Sequence, residues 1–260
     1  MSDLGVKRGR INHIFISHLH GDHVYGLPGL LSSLNHFGRE EKLCVYGPSG
    51  IKLFLEQIFV HSGVHLIYPL DIIEIDPVQG FNELLKTEDV TVFSFPLLHR
   101  LPTRGYLFRW EASQLNLDAE AVRAYSLSFE ERRKAKLGED IFRDGKRIAN
   151  AALTHAKEPA VTYAYCSDTI KDERIAGYVK KADLLYHEAT FLDSLKHKAV
   201  ETKHSTAKEA AEIAHLAEVK KLMIGHYSSR YKSLEGHIME AREVFANTIL
   251  AEEGLVVDIP

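Results

Sequence analysis

Short apolar runs rich in β-branched and aromatic residues recur along this chain, and each closes on a His, Asp or Glu. Residues 14–17 lead to His18, and residues 90–95 lead through Pro96 to His99. Residues 161–166 lead to Asp168, residues 183–186 to His187 and Glu188, and residues 221–224 to His226. Runs of this length and composition predict strands buried on both faces or nearly so. Between them the apolar spacing shifts to that of helices. It predicts a helix over residues 27–36, with Pro28 in the first turn, and another over 49–59, after the Gly47-Pro48 break. A third, over 206–219, opens on Thr206 as N-cap with Glu209 three residues on. Residues 234–250 predict a C-terminal helix and 255–257 a closing strand. Strands alternating with helices predict an α/β fold, in which sites form at the carboxyl ends of strands.

Residues 111–150 break this rhythm. Positions 129–136 are charged and weakly periodic, and Asp144-Gly145-Lys146-Arg147 reads as a turn. The segment reads as an insertion standing off a single domain of residues 1–260, a length that suits one large α/β core. A composition 45% hydrophobic and 26% charged excludes a disordered chain. The net charge of −4 excludes a general basic grip on nucleic acid, so an RNA partner must meet a local basic patch. Cys44 and Cys166 are the only cysteines, and both lie in apolar runs, as buried free thiols of a reducing cytosol do. The opening residues lack a signal-peptide pattern and no run is long enough to cross a bilayer, so a cytoplasmic location is expected.

The chemistry concentrates in His18-Leu19-His20-Gly21-Asp22-His23, three imidazoles and a carboxylate within six positions directly after a strand. Imidazole nitrogen with carboxylate oxygen suits zinc, and also iron or manganese. This cluster fills only part of two coordination shells. The strand-end pattern supplies further candidates in His99, Asp168 and His226. Taken singly, each is more often a hydrogen-bonded residue or turn former; their shared position beside the cluster is what raises them. Asp168 is the candidate for a carboxylate bridging two ions. Two ions about 3.5–4 Å apart suit phosphodiester hydrolysis, whose leaving oxygen then needs a proton donor. Glu188, after the fourth strand, and His204, at the start of the Thr206-capped helix, stand where such a donor is needed.

These strings resemble the ribonuclease Z family of the metallo-β-lactamase superfamily. The HxHxDH of residues 18–23 is the superfamily hallmark. Gly26-Leu27-Pro28-Gly29-Leu30, Pro96-Leu97-Leu98-His99-Arg100 and Tyr165-Cys166-Ser167-Asp168-Thr169 resemble the narrower family. So do His187-Glu188-Ala189-Thr190-Phe191, His204-Ser205-Thr206-Ala207 and Gly225-His226-Tyr227-Ser228-Ser229-Arg230-Tyr231, and the strings follow in family order. The resemblance implies a four-layer αβ/βα sandwich and two zinc ions per chain, with manganese or iron as substitutes. It implies that His18, His20 and His99 bind one ion, that Asp22, His23 and His226 bind the other, and that Asp168 bridges them. Asp22 would also orient the attacking water, and His204, held by Glu188, would protonate the departing 3′ oxygen. The implied substrate is precursor tRNA, cut by a homodimer to leave a tRNA 3′-hydroxyl and a trailer with a 5′-phosphate.

The family also carries a tRNA-gripping arm in the place of residues 111–150. Here its Gly-Pro-rich tip is missing, while Arg132, Arg133, Lys134, Lys136, Lys146 and Arg147 stand ready for phosphates. A second departure is at the start. Family members open with strands and a run resembling Asp-Cys-Gly-Glu-Gly, whereas this chain reaches the metal motif almost at once. The expectation is a sheet short of its first strands, with open edges and exposed apolar surface, and a less stable, less active form. Two competing readings remain: a hydrolase of the same fold acting on another phosphodiester or a small ester, and a form with little activity that only binds metal or a partner.

Overall fold

A computed structural model describes residues 5–76, 80–111, 114–155 and 159–259. The chain divides into two compact units, one of Met1–Leu84, Val92–Phe108 and Thr162–Pro260, the other of Leu85–Thr91 and Arg109–Val161.

In the first unit, β1 (His13–Phe15), β2 (Leu43–Pro48) and β3 (Leu70–Ile75) form a parallel three-stranded sheet, with His13 opposite Cys44 and Cys44 opposite Asp71. Parallel neighbours need crossovers. These are helices: α1 (Gly21–Val24) and α2 (Gly26–His36) join β1 to β2, and α3 (Ile51–Ser62) joins β2 to β3. Leu27, Leu31 and Leu34 of α2 and Ile51 and Leu55 of α3 bury one stripe each against Leu43 and Val45 of β2.

The larger sheet has seven strands in the order β14-β13-β12-β11-β6-β5-β4. Along the chain these are β4 (Asn82–Lys86), β5 (Val90–Leu97) and β6 (Thr103–Trp110), then β11 (Val161–Cys166), β12 (Leu184–Glu188), β13 (Lys221–Gly225) and β14 (Thr248–Leu250). The last four pair in parallel, linked by α6 (Arg174–Tyr178), α7 (Lys196–Thr202), α8 (Ala207–Leu216) and α9 (Glu235–Val244). Helix α8 begins as expected, with a complete Thr206–Glu209 capping box. Its Ala207, Ala210, Ala211 and Ala214 let the helix pack in one core with Leu185, Leu222 and Ile224. Each such buried Leu or Ile contributes about 1.5–3 kcal/mol.

The second unit holds β7 (Asn116–Leu117) paired with β10 (Thr154–His155), helices α4 (Ala119–Ala124) and α5 (Phe129–Lys136), and the hairpin β8 (Ile141–Arg143)–β9 (Lys146–Ile148). Asp144 and Gly145 both take positive φ, which a two-residue loop of this twist requires. Leu127, Ala135, Ile141 and Leu153 make a small core of its own. The charged run is α5, opened by a Ser128–Glu131 capping box.

Two expectations fail at the C-terminus. The helix predicted over 234–250 stops at Val244, where Phe245 turns extended. Thr248–Leu250 then pairs with Leu222–Ile224 as the edge strand. The strand predicted at 255–257 is not formed, and Leu255 and Val256 are exposed. Periodicity alone cannot weigh a last helical turn against an unpaired sheet edge. Nor do apolar runs pick out β3 and β4, whose residues, apart from the buried Ile75, are half-buried or exposed. Cys166 is buried, but Cys44 is only half-buried, and both are free thiols. Among the described residues no helix is long and apolar enough to cross a membrane.

Candidate active site

The chain leaves β1 at Phe15, and the next three residues cross toward the larger sheet. Ile16 N–H donates to Tyr46 O (2.8 Å), the Tyr106 hydroxyl donates to Ile16 O (2.6 Å), and Arg104 N–H donates to Ser17 O (2.9 Å). These bonds hold His18 fully buried. His20 then precedes α1, whose single turn carries Asp22 and His23, anchored by the buried Val24. Asp168 follows β11 and is almost fully buried. Its loop is tied to that of His99: Ile170 N–H donates to Leu98 O (2.9 Å) and Leu98 N–H to Thr169 Oγ1 (3.1 Å). His226 follows β13 with φ 60°, a left-handed conformation that is strained for a non-glycine residue. Gly225 before it lies so close to Tyr186 that a Cβ there would meet the ring at 2.7 Å.

These segments bring seven predicted residues to one rim. His18 Nε2 lies 3.0 Å from His20 Nδ1, and His99 Nε2 lies 3.2 Å from that same nitrogen. Asp168 faces both halves of the cluster. Its Oδ2 is 3.5 Å from His18 Nε2 and 3.7 Å from His99 Nε2, while its Oδ1 is 3.4 Å from His23 Nε2 and 3.3 Å from His226 Nε2. Asp22 Oδ2 completes the second half, 3.4 Å from His23 Nε2 and 3.9 Å from His226 Nε2.

The donor chemistry fits divalent cations. His99 donates from Nδ1 to Lys203 O (2.8 Å), which leaves a bare lone pair on Nε2. That lone pair faces Nδ1 of His20 and Oδ2 of Asp168, and His23 Nε2 is buried without a normal hydrogen bond among the described residues. Converging lone pairs of this kind repel unless a cation sits among them, and outer hydrogen bonds such as that to Lys203 are what orient imidazole ligands. His18, His20, His99 and Asp168 could hold one ion and Asp22, His23 and His226 another.

Burial pushes the His18 imidazole down to about 3, against the pull of Asp168, so it stays neutral. Burial also lowers His99, which the Lys203 carbonyl only partly offsets. For Asp168, burial alone would raise the carboxyl. The imidazoles crowded around it, His23 foremost, overcome it and hold the group far below the usual carboxylate range.

Glu188 and His204 form a second feature on the same rim. Glu188 is fully buried at the end of β12, and His204 donates from Nδ1 to its Oε1 at 2.8 Å. The rings of His204 and His226 stack with centroids 5.4 Å apart. Burial works to lower His204, but Glu188, by hydrogen bond and by charge, raises it above its ordinary value. Beside it a cavity of about 190 Å³ is lined by His20, His99, Arg100, Thr190, Phe191, Thr202 and His204. A larger cavity, about 560 Å³, lies by Val6–Gly9 and Phe37–Glu41 with none of these groups in its lining. The smaller one sits at the chemistry.

Two contributors escaped sequence reasoning. Lys203, in a left-handed conformation at φ 56°, aims its carbonyl at His99. Thr190 bonds to Glu188 and His226 together. Lys203 leaves no signal in the sequence. Thr190 lies two residues beyond Glu188, the spacing that returns a side chain to the same face of an extended chain.

The β-lactamase superfamily domain matches residues 5–227. Ribonuclease Z of Porphyromonas gingivalis is 45% identical over 254 residues, covering 96% of this chain and 83% of the relative. Ribonuclease Z of Parabacteroides distasonis is 40% identical over 260 residues, covering all of this chain and 85% of the relative. Among solved structures, the short form of human tRNase Z superposes with TM-score 0.68 at 25% identity, over 98% of this chain and 82% of the other.

Proposed function

The chain belongs to the ribonuclease Z family of the metallo-β-lactamase superfamily, and we propose that it is a zinc-dependent endoribonuclease that removes the 3′ trailer from precursor tRNA. The observation that carries the reading is the pairing, on one rim, of a seven-residue His/Asp cluster with a buried Glu188–His204 couple. Hydrolysis of a small ester or lactam has no need of the second element, because its leaving group departs without a dedicated donor.

In this reading His18, His20 and His99 would hold one zinc ion and Asp22, His23 and His226 the other, with Asp168 a ligand available to both. When bound, such a pair would supply polarisation of a phosphoryl oxygen and a water competent to attack at neutral pH. The chain's own residues do the rest. Asp22, more exposed than the other ligands, accepts a hydrogen bond from the attacking water and aims it. His204 enters protonated and gives its Nε2 proton to the departing 3′ oxygen as the phosphorus–O3′ bond breaks. Glu188 keeps His204 in that orientation and stabilises its charge. The products are a tRNA with a 3′-hydroxyl and a trailer with a 5′-phosphate. We read the second compact unit as an arm inserted in a single domain that meets tRNA through its basic residues, and the enzyme as a cytoplasmic homodimer.

The test is cleavage of a precursor tRNA with a defined trailer, set against bis-p-nitrophenyl phosphate and a β-lactam, with metal content measured on the same sample. Trailer release with a 5′-phosphate and two zinc ions per chain is the expected result. Diester turnover without trailer release would overturn the RNA assignment, and fewer than two ions per chain would overturn the two-ion site.

A further inference from the structure

We infer that Thr190 is a positioning residue that sets the tautomer of His226 and ties it to the Glu188–His204 couple through one hydroxyl. Thr190 Oγ1 lies 2.7 Å from Glu188 Oε2 and 2.8 Å from His226 Nδ1. A hydroxyl has a single proton to donate. The Glu188 carboxylate is an acceptor, taking bonds from Thr169 N–H and His204 on Oε1 and from Thr190 N–H on Oε2. The hydroxyl proton therefore goes to Glu188, and His226 must donate from Nδ1–H to the hydroxyl oxygen. A neutral imidazole carries one N–H, so Nε2 of His226 is left with a bare lone pair. That nitrogen is the one 3.3 Å from Asp168 Oδ1 and facing Asp22.

His226 needs such a hold more than the other ligands do. It stands in a left-handed conformation just past the end of β13, and its side chain is the more exposed of the second set of imidazoles. The main chain of Thr190 secures the loop as well, its carbonyl accepting from Ser228 N–H at 3.1 Å. Thr190→Val keeps that backbone bond and the side-chain shape while deleting the hydroxyl, and Thr190→Ser restores the hydroxyl without the methyl group. Outer hydrogen bonds of this kind are worth about 10–100-fold in metal affinity.

The inference rests on the reading of His226 as a metal ligand and can fail separately from the RNA assignment. Zinc is titrated calorimetrically into the metal-stripped protein and its two variants. The expected result is two sites in the parent, one of them weakened about 10–100-fold in Thr190→Val, and recovery in Thr190→Ser. Unchanged affinities in Thr190→Val, or a Thr190→Ser as weak as Thr190→Val, would overturn it. The ring nitrogen resonances of His226 in the metal-free parent give a check that needs no variant: protonation at Nδ1 is expected, and protonation at Nε2 would refute the proposal. A parent that binds two zinc ions but releases no trailer would sink the RNA reading and leave Thr190's part intact.

Discussion

Nδ1 of His204 lies 2.8 Å from Oε1 of Glu188, a carboxylate with no exposure to solvent. A buried acceptor fixes the ring's orientation and, in the proposed mechanism, leaves Nε2 as the nitrogen to meet a substrate oxygen. It also favours the charged imidazolium over the neutral ring. Burial pulls the other way, and Glu188 wins, so His204 is raised above its ordinary imidazole value. A group raised in this way adds stability that is complete below its unfolded value and lost as pH rises through the folded one.

For Glu188→Gln the expectation is a fall in kcat of about 10²–10⁴-fold, the usual span for general acid catalysis. The alkaline limb of the pH–rate profile should also move to lower pH, because burial of His204 remains while its raising partner is gone. Rates across about pH 5–9, a span that brackets the ordinary imidazole range, check this on both proteins. An alkaline limb in the same place would remove Glu188 from the proton-donor assignment.

Asp168 faces both halves of the cluster, so Asp168→Asn is expected to weaken zinc binding at both sites. The loss should exceed the roughly 10–100-fold that removal of an outer hydrogen-bond partner costs. Elemental analysis after gel filtration gives the readout. Two ions still retained per chain would rule out a bridging carboxylate.

In the second unit Arg133, Lys134 and Lys136 are exposed along α5, whereas Arg132 donates to Leu127 O, Arg147 pairs with Asp140 and Arg143 with Glu131. Replacing the first three by Ala should raise KM for precursor tRNA and flatten its dependence on salt, by about 0.7–0.9 in logarithmic slope for each phosphate left without its cation. Turnover of a small diester should be unaffected. An unaltered salt slope would mean that α5 does not meet the RNA.

Gly225→Ala places a methyl group against the Tyr186 ring, which is itself stacked on Tyr165 with centroids 4.9 Å apart. Overpacking at such a site costs about 1–3 kcal/mol. Because the displaced residue adjoins His226, zinc content should drop together with the melting temperature. Stability lost with zinc binding intact would mean that the loop after β13 moves independently of that strand.

Arg104 is almost fully buried, and its Nη2 donates to Gly80 O, Asn82 Oδ1 and Ser94 Oγ. Arg104→Met removes the donor that joins these three acceptors, leaving Asn82 Oδ1 only the Ser94 hydroxyl, and the expected destabilisation is about 2–4 kcal/mol. Chemical denaturation measures it. A change below about 1 kcal/mol, the size of one ordinary hydrogen bond, would show that water replaces the guanidinium readily.

The sequence by itself determined what is local. Spacing within six positions makes the His18–His23 cluster legible, apolar runs ending on His99, Asp168 and His226 mark strand ends, and Thr206 with Glu209 announces α8. Each of these depends on neighbours a few residues apart, and such signals survive in one dimension. Tertiary structure decided the rest. That the segment after Leu234 gives up its last helical turns to become β14 depends on an open sheet edge contributed by β13, which periodicity cannot see. That Lys203 offers its carbonyl to His99, and that Thr190 commits its one proton to Glu188 and so settles which nitrogen of His226 stays bare, depends on donors and acceptors that only folding brings within hydrogen-bonding reach. Residue types carry the chemistry, but protonation and aim belong to the surroundings, and those surroundings are assembled from segments far apart in the chain.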